Sequence, residues 1–162
     1  MSIGDSVCDM TQFDVPSPLY LVDPIDVPNA IAQLVRAVRL PDGIDQDALI
    51  DALLAREEVM STAIGNGVAL PHVRKFGSES LKSDVVLIAY LFEPIDWKAP
   101  DGAPVHTLFL VLAADENSHL QILAQIANLA SDDSFVEFLR TMPGREALLE
   151  RMGEISRTQG SQ

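Results

Sequence analysis

Two histidines and an arginine are the residues of this chain whose types and placement could carry chemistry. His72 follows Pro71 at the end of the apolar run Val68-Ala69-Leu70, Arg56 precedes that run, and His119 lies near the predicted start of a helix. An imidazole has an unperturbed pKa of about 6.5, so at physiological pH it is mostly neutral and can act as a nucleophile without a base to activate it. The sequence therefore predicts a nucleophilic imidazole where a short strand ends.

The side chains near this imidazole would suit a phosphoryl group. Arg56 offers a planar guanidinium for phosphate oxygens, and Ser61 and Thr62 offer hydroxyls. The helix N-terminus near His119 offers backbone N–H groups. Phosphoryl transfer depends chiefly on positioning and on stabilisation of charge, which these groups can supply. Each also has an ordinary structural explanation, because a histidine after a strand can simply be packed, and Ser61 and Thr62 can cap the local backbone.

The turn and strand that deliver His72 can be predicted from local residue types. Gly65 and Gly67 flank Asn66, so the chain can turn tightly with positive φ before the short buried strand that ends at Pro71. This strand should bring His72 to an edge of the sheet.

Two helices should precede this turn. Pro28 suits a first helical turn, and an apolar stripe then continues to about Arg39. Asp45 can cap a second helix that ends at about Glu58, which places Arg56 near its C-terminal end.

The rest of the chain alternates buried strands with helices, which favours an α/β sandwich. Apolar runs predict strands, and amphipathic spacing with Ser118 and Gln121 as a capping box predicts helices. The strands should be Leu19–Val22 (short), Val85–Phe92 and Thr107–Ala113. The turn-rich connection over Pro94–Pro104 suits a loop or a short edge strand, and the helices should be 118–130, 133–141 and 145–152.

Composition bounds the class of protein. A chain of 162 residues that is 48% hydrophobic can bury one core, so we expect an N-terminal arm at 1–26, one domain at 27–152 and a flexible tail at 153–162. The net charge of −13 disfavours nucleic-acid and anionic membrane partners. Neither a membrane span nor a basic signal peptide is present, which predicts a cytoplasmic protein. The single cysteine, Cys8, and three histidines are too few for a disulfide or a zinc framework.

The segment from Arg56 to His72 resembles the signature of the fructose, mannitol and nitrogen-regulatory enzyme IIA family of the bacterial phosphotransferase system. The resemblance continues through Trp97–Val105, the strand Leu108–Leu112 and the pair His119-Leu120 that opens a helix. It covers about 29–152, which is nearly the whole chain.

This resemblance implies an activity and a fold. His72 would accept a phosphoryl group on Nε2 from HPr or a nitrogen-branch HPr-like carrier, which makes the protein a phosphotransferase. Arg56 would hold the phosphate with Ser61 and Thr62, and His119 would be the second active-site histidine. The implied fold is a mixed β-sheet with helices on both faces, and no metal or organic cofactor is implied.

The destination of the phosphoryl group stays open at this point. The residue sequence of Ile64–Ala69 resembles that of the regulatory branch of the family, whose phosphorylation state controls target proteins. The alternative is a sugar-transport enzyme IIA that passes the phosphoryl group to an enzyme IIB.

Two alternatives come from other functional classes. A binding module that is no longer phosphorylated is suggested by Val73, because the family usually has glycine or alanine after the Pro-His pair. A metal-assisted hydrolase would use His72, His119 and acidic residues as ligands, but no pair of ligands at helical spacing supports it.

Several other polar residues receive ordinary interpretations. Glu57 is interpreted as a solvated or paired carboxylate and His106 as a surface residue at a strand edge. Arg74 and Lys75 have two equally good interpretations: they belong to an ordinary solvated loop, or they form a functional basic cluster beside His72.

Overall fold

The computed structural model describes the chain at residues 15–21, 23–24, 26–40, 44–73, 84–113 and 115–160. Of the residues discussed above, Cys8, Val22, Arg74 and Lys75 lie outside these ranges. Within the described residues, none of the helices combines the length and the apolar character needed to cross a membrane.

Five strands form one mixed sheet in the order β1-β4-β5-β3-β2. Their bounds are β1 Leu19–Leu21, β2 Ala63–Gly65, β3 Val68–Ala69, β4 Val85–Ile95 and β5 Val105–Leu112. The pairs β1–β4 and β3–β5 are parallel, whereas β2–β3 and β4–β5 are antiparallel. The long strands β4 and β5 are therefore central, and the short strands that lead toward His72 lie at one side of them.

Helices cover both faces of this sheet. They are α1 Val27–Ala37, α2 Gln46–Val59, α3 Glu116–Ala130, α4 Asp133–Arg140 and α5 Arg145–Gly160. Because side chains alternate along a strand, Leu108 and Leu110 of β5 pack in the core beneath α1 and α2, while Phe109 and Val111 pack beneath α3, α4 and α5. Strands buried on both faces read as continuous apolar runs, as observed here. The predicted mixed sheet between two helical layers is confirmed.

Three helix boundaries differ from the predicted ones by two residues or more, and the first is the end of α1 at Ala37 rather than at about Arg39. Helix α3 begins at Glu116, because Asp115 rather than Ser118 is its N-cap and accepts a hydrogen bond from the Ser118 backbone N–H at 2.8 Å. The predicted capping box is therefore wrong. Helix α5 continues to Gly160 instead of ending at Met152. Ile155, about one turn beyond that point, is buried in the core and supports the first of about two extra turns.

Strand β4 extends into the turn-rich connection, for which the sequence predicts a loop or a short edge strand. Strand β4 reaches Ile95, which pairs with Val105 at the start of β5 after an irregularity in register. Pairing with β5 thus resumes at Ile95, directly after Pro94, in a stretch that propensity alone marks as a turn.

Candidate active site

A tight hairpin between β2 and β3 leads the chain toward His72. Gly65, Asn66 and Gly67 all have positive φ, at 98°, 56° and 80°. The Asn66 backbone N–H donates to Asp101 Oδ2 at 2.9 Å, and its side-chain Nδ2 donates to the carbonyl of Ala130 at 2.9 Å. The predicted glycine turn is confirmed, and its hydrogen bonds tie it to the loop before β5 and to the end of α3.

The chain beyond β3 keeps following β5 as far as His72. The Val111 N–H donates to the Pro71 carbonyl at 3.1 Å, and His72 itself bridges to Val111 in parallel. Val68 and Leu70 point into the core beneath α3. Because side chains alternate, His72 continues this series and lies on the same face of the sheet as α3.

The His72 ring is half-buried, and its tautomer follows from one contact. Nδ1 lies 2.6 Å from the Leu70 carbonyl oxygen, which can only accept, so Nδ1 carries the proton. In the neutral ring the lone pair is therefore on Nε2. Burial lowers the pKa of His72 below 6.5, the Leu70 hydrogen bond raises it, the charge of Arg56 lowers it and that of Glu57 raises it.

His119 lies directly beside His72. The two ring centroids are 5.1 Å apart and the ring planes meet at 61°. His119 is only 4% exposed, and its backbone N–H donates to the carbonyl of the N-cap Asp115 at 3.0 Å. The cap at Asp115 thus sets the rotation of α3 that turns His119 toward His72.

Arg56 is in the last turn of α2, as predicted. Its Nη1 donates to the Met60 carbonyl at 2.7 Å just past the helix end. Its charge contributes to the lowered pKa of His72, so the guanidinium lies within electrostatic range of the imidazole. His119 is thus in ring contact with His72, and Arg56 is close enough for its charge to act on the same imidazole.

Ser61 and Thr62 lie in the segment between Arg56 and β2, and both hydroxyls are hydrogen-bonded within the protein. Ser61 Oγ donates to the Trp97 carbonyl and accepts from the Ala63 N–H at 3.1 Å. The buried Thr62 hydroxyl donates to the Glu57 carboxylate. Their role in phosphate binding stays a prediction.

Glu57 is a paired carboxylate, and the sequence did not reveal its partners. Oε1 accepts from the Thr62 N–H at 2.9 Å and from the Trp97 indole Nε1 at 3.1 Å, and Oε2 accepts the Thr62 hydroxyl. Trp97 lies forty positions further along the chain, so no local pattern could indicate this contact.

His106 is buried, not at the surface, so that prediction is wrong. It is 5% exposed, and Nδ1 hydrogen-bonds with Thr107 Oγ1 at 2.8 Å. Burial and then the charge of Arg140 lower the pKa of His106 to about 4. Gly67 provides the space for this ring, because a Cβ at that position would lie 2.3 Å from His106 Cδ2.

The chemistry that this site can perform follows from its polar groups. A half-buried neutral imidazole has its Nε2 lone pair available, a second imidazole lies beside it, and a guanidinium lies within electrostatic range. Over the described ranges, no cluster of three or more His, Cys, Asp or Glu side chains could hold a metal ion. The arrangement suits transfer of an anionic group to and from nitrogen.

Comparison with known proteins identifies related sequences and folds. Residues 23–154 match the family described as "Phosphoenolpyruvate-dependent sugar phosphotransferase system, EIIA 2". A nitrogen regulatory protein of Pseudomonas aeruginosa is 39% identical over 131 residues, which are 80% of this chain and 82% of that protein. A fructose-specific EIIA component of Haloferax volcanii is 30% identical over 154 residues, 91% of this chain and 98% of that protein.

A solved structure has the same fold. The crystal structure of nitrogen regulatory protein IIA-Ntr from Neisseria meningitidis superposes with a TM-score of 0.73 at 24% identity, covering 93% of this chain and 98% of that one.

Proposed function

This chain belongs to the EIIA 2 family of the phosphoenolpyruvate-dependent sugar phosphotransferase system, and we propose that it is a phosphohistidine carrier whose acceptor atom is Nε2 of His72. The observation that carries this proposal is the hydrogen bond from His72 Nδ1 to the Leu70 carbonyl, which leaves the Nε2 lone pair available. A neutral, half-buried imidazole needs no separate base to attack phosphorus.

The transfer step balances in charge and in atoms. The Nε2 lone pair attacks the phosphorus of a phosphohistidine on the donor protein, and an N–P bond forms as the donor's N–P bond breaks. The donor ring, protonated on its other nitrogen, leaves as neutral imidazole with the electron pair of the broken bond. The positive charge passes to the His72 ring, whose Nδ1–H stays hydrogen-bonded to the Leu70 carbonyl.

Arg56 and His119 would act on the phosphoryl oxygens. Charge develops on these oxygens in the transition state, and a guanidinium near His72 would stabilise it. His119, edge to face with His72, would donate one hydrogen bond and orient the group. Ser61 and Thr62 would contribute only if their present hydrogen bonds rearranged.

We propose HPr or a nitrogen-branch HPr-like carrier as the donor and regulated proteins as the targets, in the cytoplasm, with residues 27–152 as the functional domain. The regulatory assignment is supported by the 39% identity to a nitrogen regulatory protein. Transport is the second candidate, supported by the 30% identity to a fructose-specific EIIA component over 91% of the chain, and there the phosphoryl group would pass to an enzyme IIB.

The test is incubation with phosphoenolpyruvate, enzyme I and HPr or its nitrogen-branch counterpart, followed by intact mass. We expect the gain of one acid-labile phosphate that is absent in His72→Ala, while His119→Ala should slow the gain without abolishing it. If no donor labels the wild-type protein, a binding module without phosphoryl transfer becomes the better account. Transfer onward to a sugar-specific enzyme IIB would favour the transport role.

A further inference from the structure

We infer that Glu57 is a positioning residue for phosphoryl transfer, because its carboxylate, held by Trp97 and Thr62, fixes the end of α2 from which Arg56 acts on His72. This inference rests on the proposed function and adds a residue to it. The observations behind it are the hydrogen bonds of Glu57, the burial of Trp97 and the position of Arg56 next to Glu57 in the sequence.

The Glu57 carboxylate accepts three hydrogen bonds from two separate segments. The backbone N–H and the hydroxyl of Thr62 bind it from the chain just before β2. The indole N–H of Trp97 binds it from the chain just after β4. An ionised carboxylate is acceptor-only, and hydrogen bonds to a charged group are the stronger kind. Glu57 is therefore a junction between α2, the Ser61–Thr62 segment and the loop after β4.

Trp97 gives this junction a rigid base. Its side chain is 2% exposed and packs in the core beneath α1 and α2. Its backbone carbonyl accepts the Ser61 hydroxyl, so the two segments are joined a second time. A large buried side chain with its polar atom satisfied has little freedom to move.

The junction lies next to Arg56 in the chain. Arg56 Nη1 donates to the Met60 carbonyl at 2.7 Å. Val59, the last residue of α2, and Met60, its C-cap, are 81% and 68% exposed. A helix end with so few buried contacts tends to fray unless another group holds it. Anchoring through Glu57 keeps the Arg56 backbone fixed when its guanidinium moves to a phosphoryl group.

Glu57 also acts on His72 through its charge. Arg56 and Glu57 lie close enough to His72 to shift its proton affinity in opposite directions, and the carboxylate favours the cationic ring. In the proposed step the His72 ring gains positive charge, so the carboxylate would stabilise the phosphorylated form. The same carboxylate thus serves position and charge.

Glu57→Gln tests this inference, with Glu58→Gln as its matched control. Both changes remove one carboxylate from the last turn of α2, but Glu58 is exposed at the surface. An amide keeps one acceptor oxygen, and its NH2 can bond to Thr62 only if that hydroxyl turns round to accept, so the variant loses the charge of the carboxylate and with it the charge-assisted hydrogen bonds. We expect single-turnover transfer from phosphorylated HPr at saturating donor to slow about 10²-fold in Glu57→Gln, as small misplacements of positioned groups do. Glu58→Gln should transfer within about twofold of wild type.

A second readout separates positioning from mere stability. The His72 pKa, followed by NMR, should fall in Glu57→Gln and change little in Glu58→Gln, whereas loosened packing alone would expose the ring and raise it toward 6.5. If Glu57→Gln does not fold, Trp97→Phe keeps the carboxylate and removes one donor, and it should slow transfer about tenfold. Transfer within twofold of wild type in Glu57→Gln, or in a folded Trp97→Phe, overturns the inference. Failure of wild type itself to be phosphorylated overturns the proposed function instead.

Discussion

The carbonyl oxygen of Leu70 lies 2.6 Å from Nδ1 of His72, two residues further along the same extended segment. The extended backbone around Pro71 makes this contact, since a strand residue and the residue two positions on share a face. The hydrogen bond fixes the ring orientation and the tautomer together. The strand that presents the nucleophile therefore also decides which of its nitrogens reacts.

The first prediction concerns the protonation of His72. Burial is the largest cause of its shift, so the pKa should lie below 6.5 and the ring should remain an acceptor at pH values where a free imidazole is protonated. The rate of phosphoryl acceptance should fall only as the pH drops through this lowered pKa. An NMR titration, with His72→Gln to assign the signals, measures it, and a pKa at or above 6.5 would contradict the burial argument.

The second prediction concerns Arg56. Arg56→Ala should reduce the rate of phosphoryl transfer about 10²-fold, because one charge-stabilising donor is lost from the transition state. It should also raise the His72 pKa, since a nearby positive charge is removed. Single-turnover transfer and NMR titration provide the two measurements.

Arg36→Ala is the control for this change. Arg36 is a half-exposed arginine of α1 that pairs with Asp47 at 2.7 Å, so its removal should leave the transfer rate within about twofold. Equal losses in the two variants would mean that Arg56 acts only through the overall charge of the protein.

Local signals were enough to predict the turn and the helix end that frame the site. Glycines on both sides of Asn66 allow positive φ, and the structure has it at all three residues. Asp45 caps α2 by accepting a hydrogen bond from the Ala48 N–H at 3.2 Å, which fixes where Arg56 falls in its last turn. Both features depend on residues within a few positions of one another.

Contacts between distant segments could not be predicted in the same way. The burial of His106 depends on the absence of a side chain at Gly67, and the partner of Glu57 is Trp97. The end of α5 depends on Ile155 reaching the core, which its polar neighbours conceal. In each case the deciding energy is tertiary packing, which overrides local propensity.

The third prediction concerns acid sensitivity from His106. Its pKa is about 4 in the folded protein, lowered by burial, whereas an unfolded histidine has about 6.5, so the unfolded state binds the proton more tightly. The contribution of neutral His106 to the free energy of unfolding should therefore be fully present above pH 6.5 and should be lost as the pH drops from 6.5 to about 4. A tenfold difference in proton affinity is worth about 1.4 kcal/mol, so the loss is at most about 3 kcal/mol.

Urea unfolding at pH 7.5 and 4.5 measures this loss in wild type and in His106→Gln. The variant should lose less stability between the two pH values, while any part due to His72 stays in both proteins. An unchanged difference between the two pH values in His106→Gln would show that His106 does not titrate in this way.

The fourth prediction concerns the space above the His106 ring. At Gly67, φ is +80°, and a Cβ would lie 2.3 Å from His106 Cδ2 and 2.5 Å from Nε2. Gly67→Ala should therefore lower the free energy of unfolding by about 3 kcal/mol, through both backbone strain and overpacking. At Gly102, φ is +74° but no atom lies within 4 Å of the added Cβ, so Gly102→Ala should cost only about 1 kcal/mol.

A double-mutant cycle separates the steric part from the backbone part of the Gly67 effect. Removal of the ring in His106→Ala leaves room for the new methyl group, so Gly67→Ala should cost about 1 kcal/mol more than His106→Ala alone when the two are combined. This residual cost should be close to that of Gly102→Ala, with a small addition from the Pro104 carbonyl oxygen, which would lie 3.3 Å from the added Cβ. Strictly additive losses would mean that the hairpin, and not the His106 ring, requires glycine at this position. Gly67→Ala should also slow phosphoryl transfer, because the hairpin that it strains leads directly into the segment that presents His72.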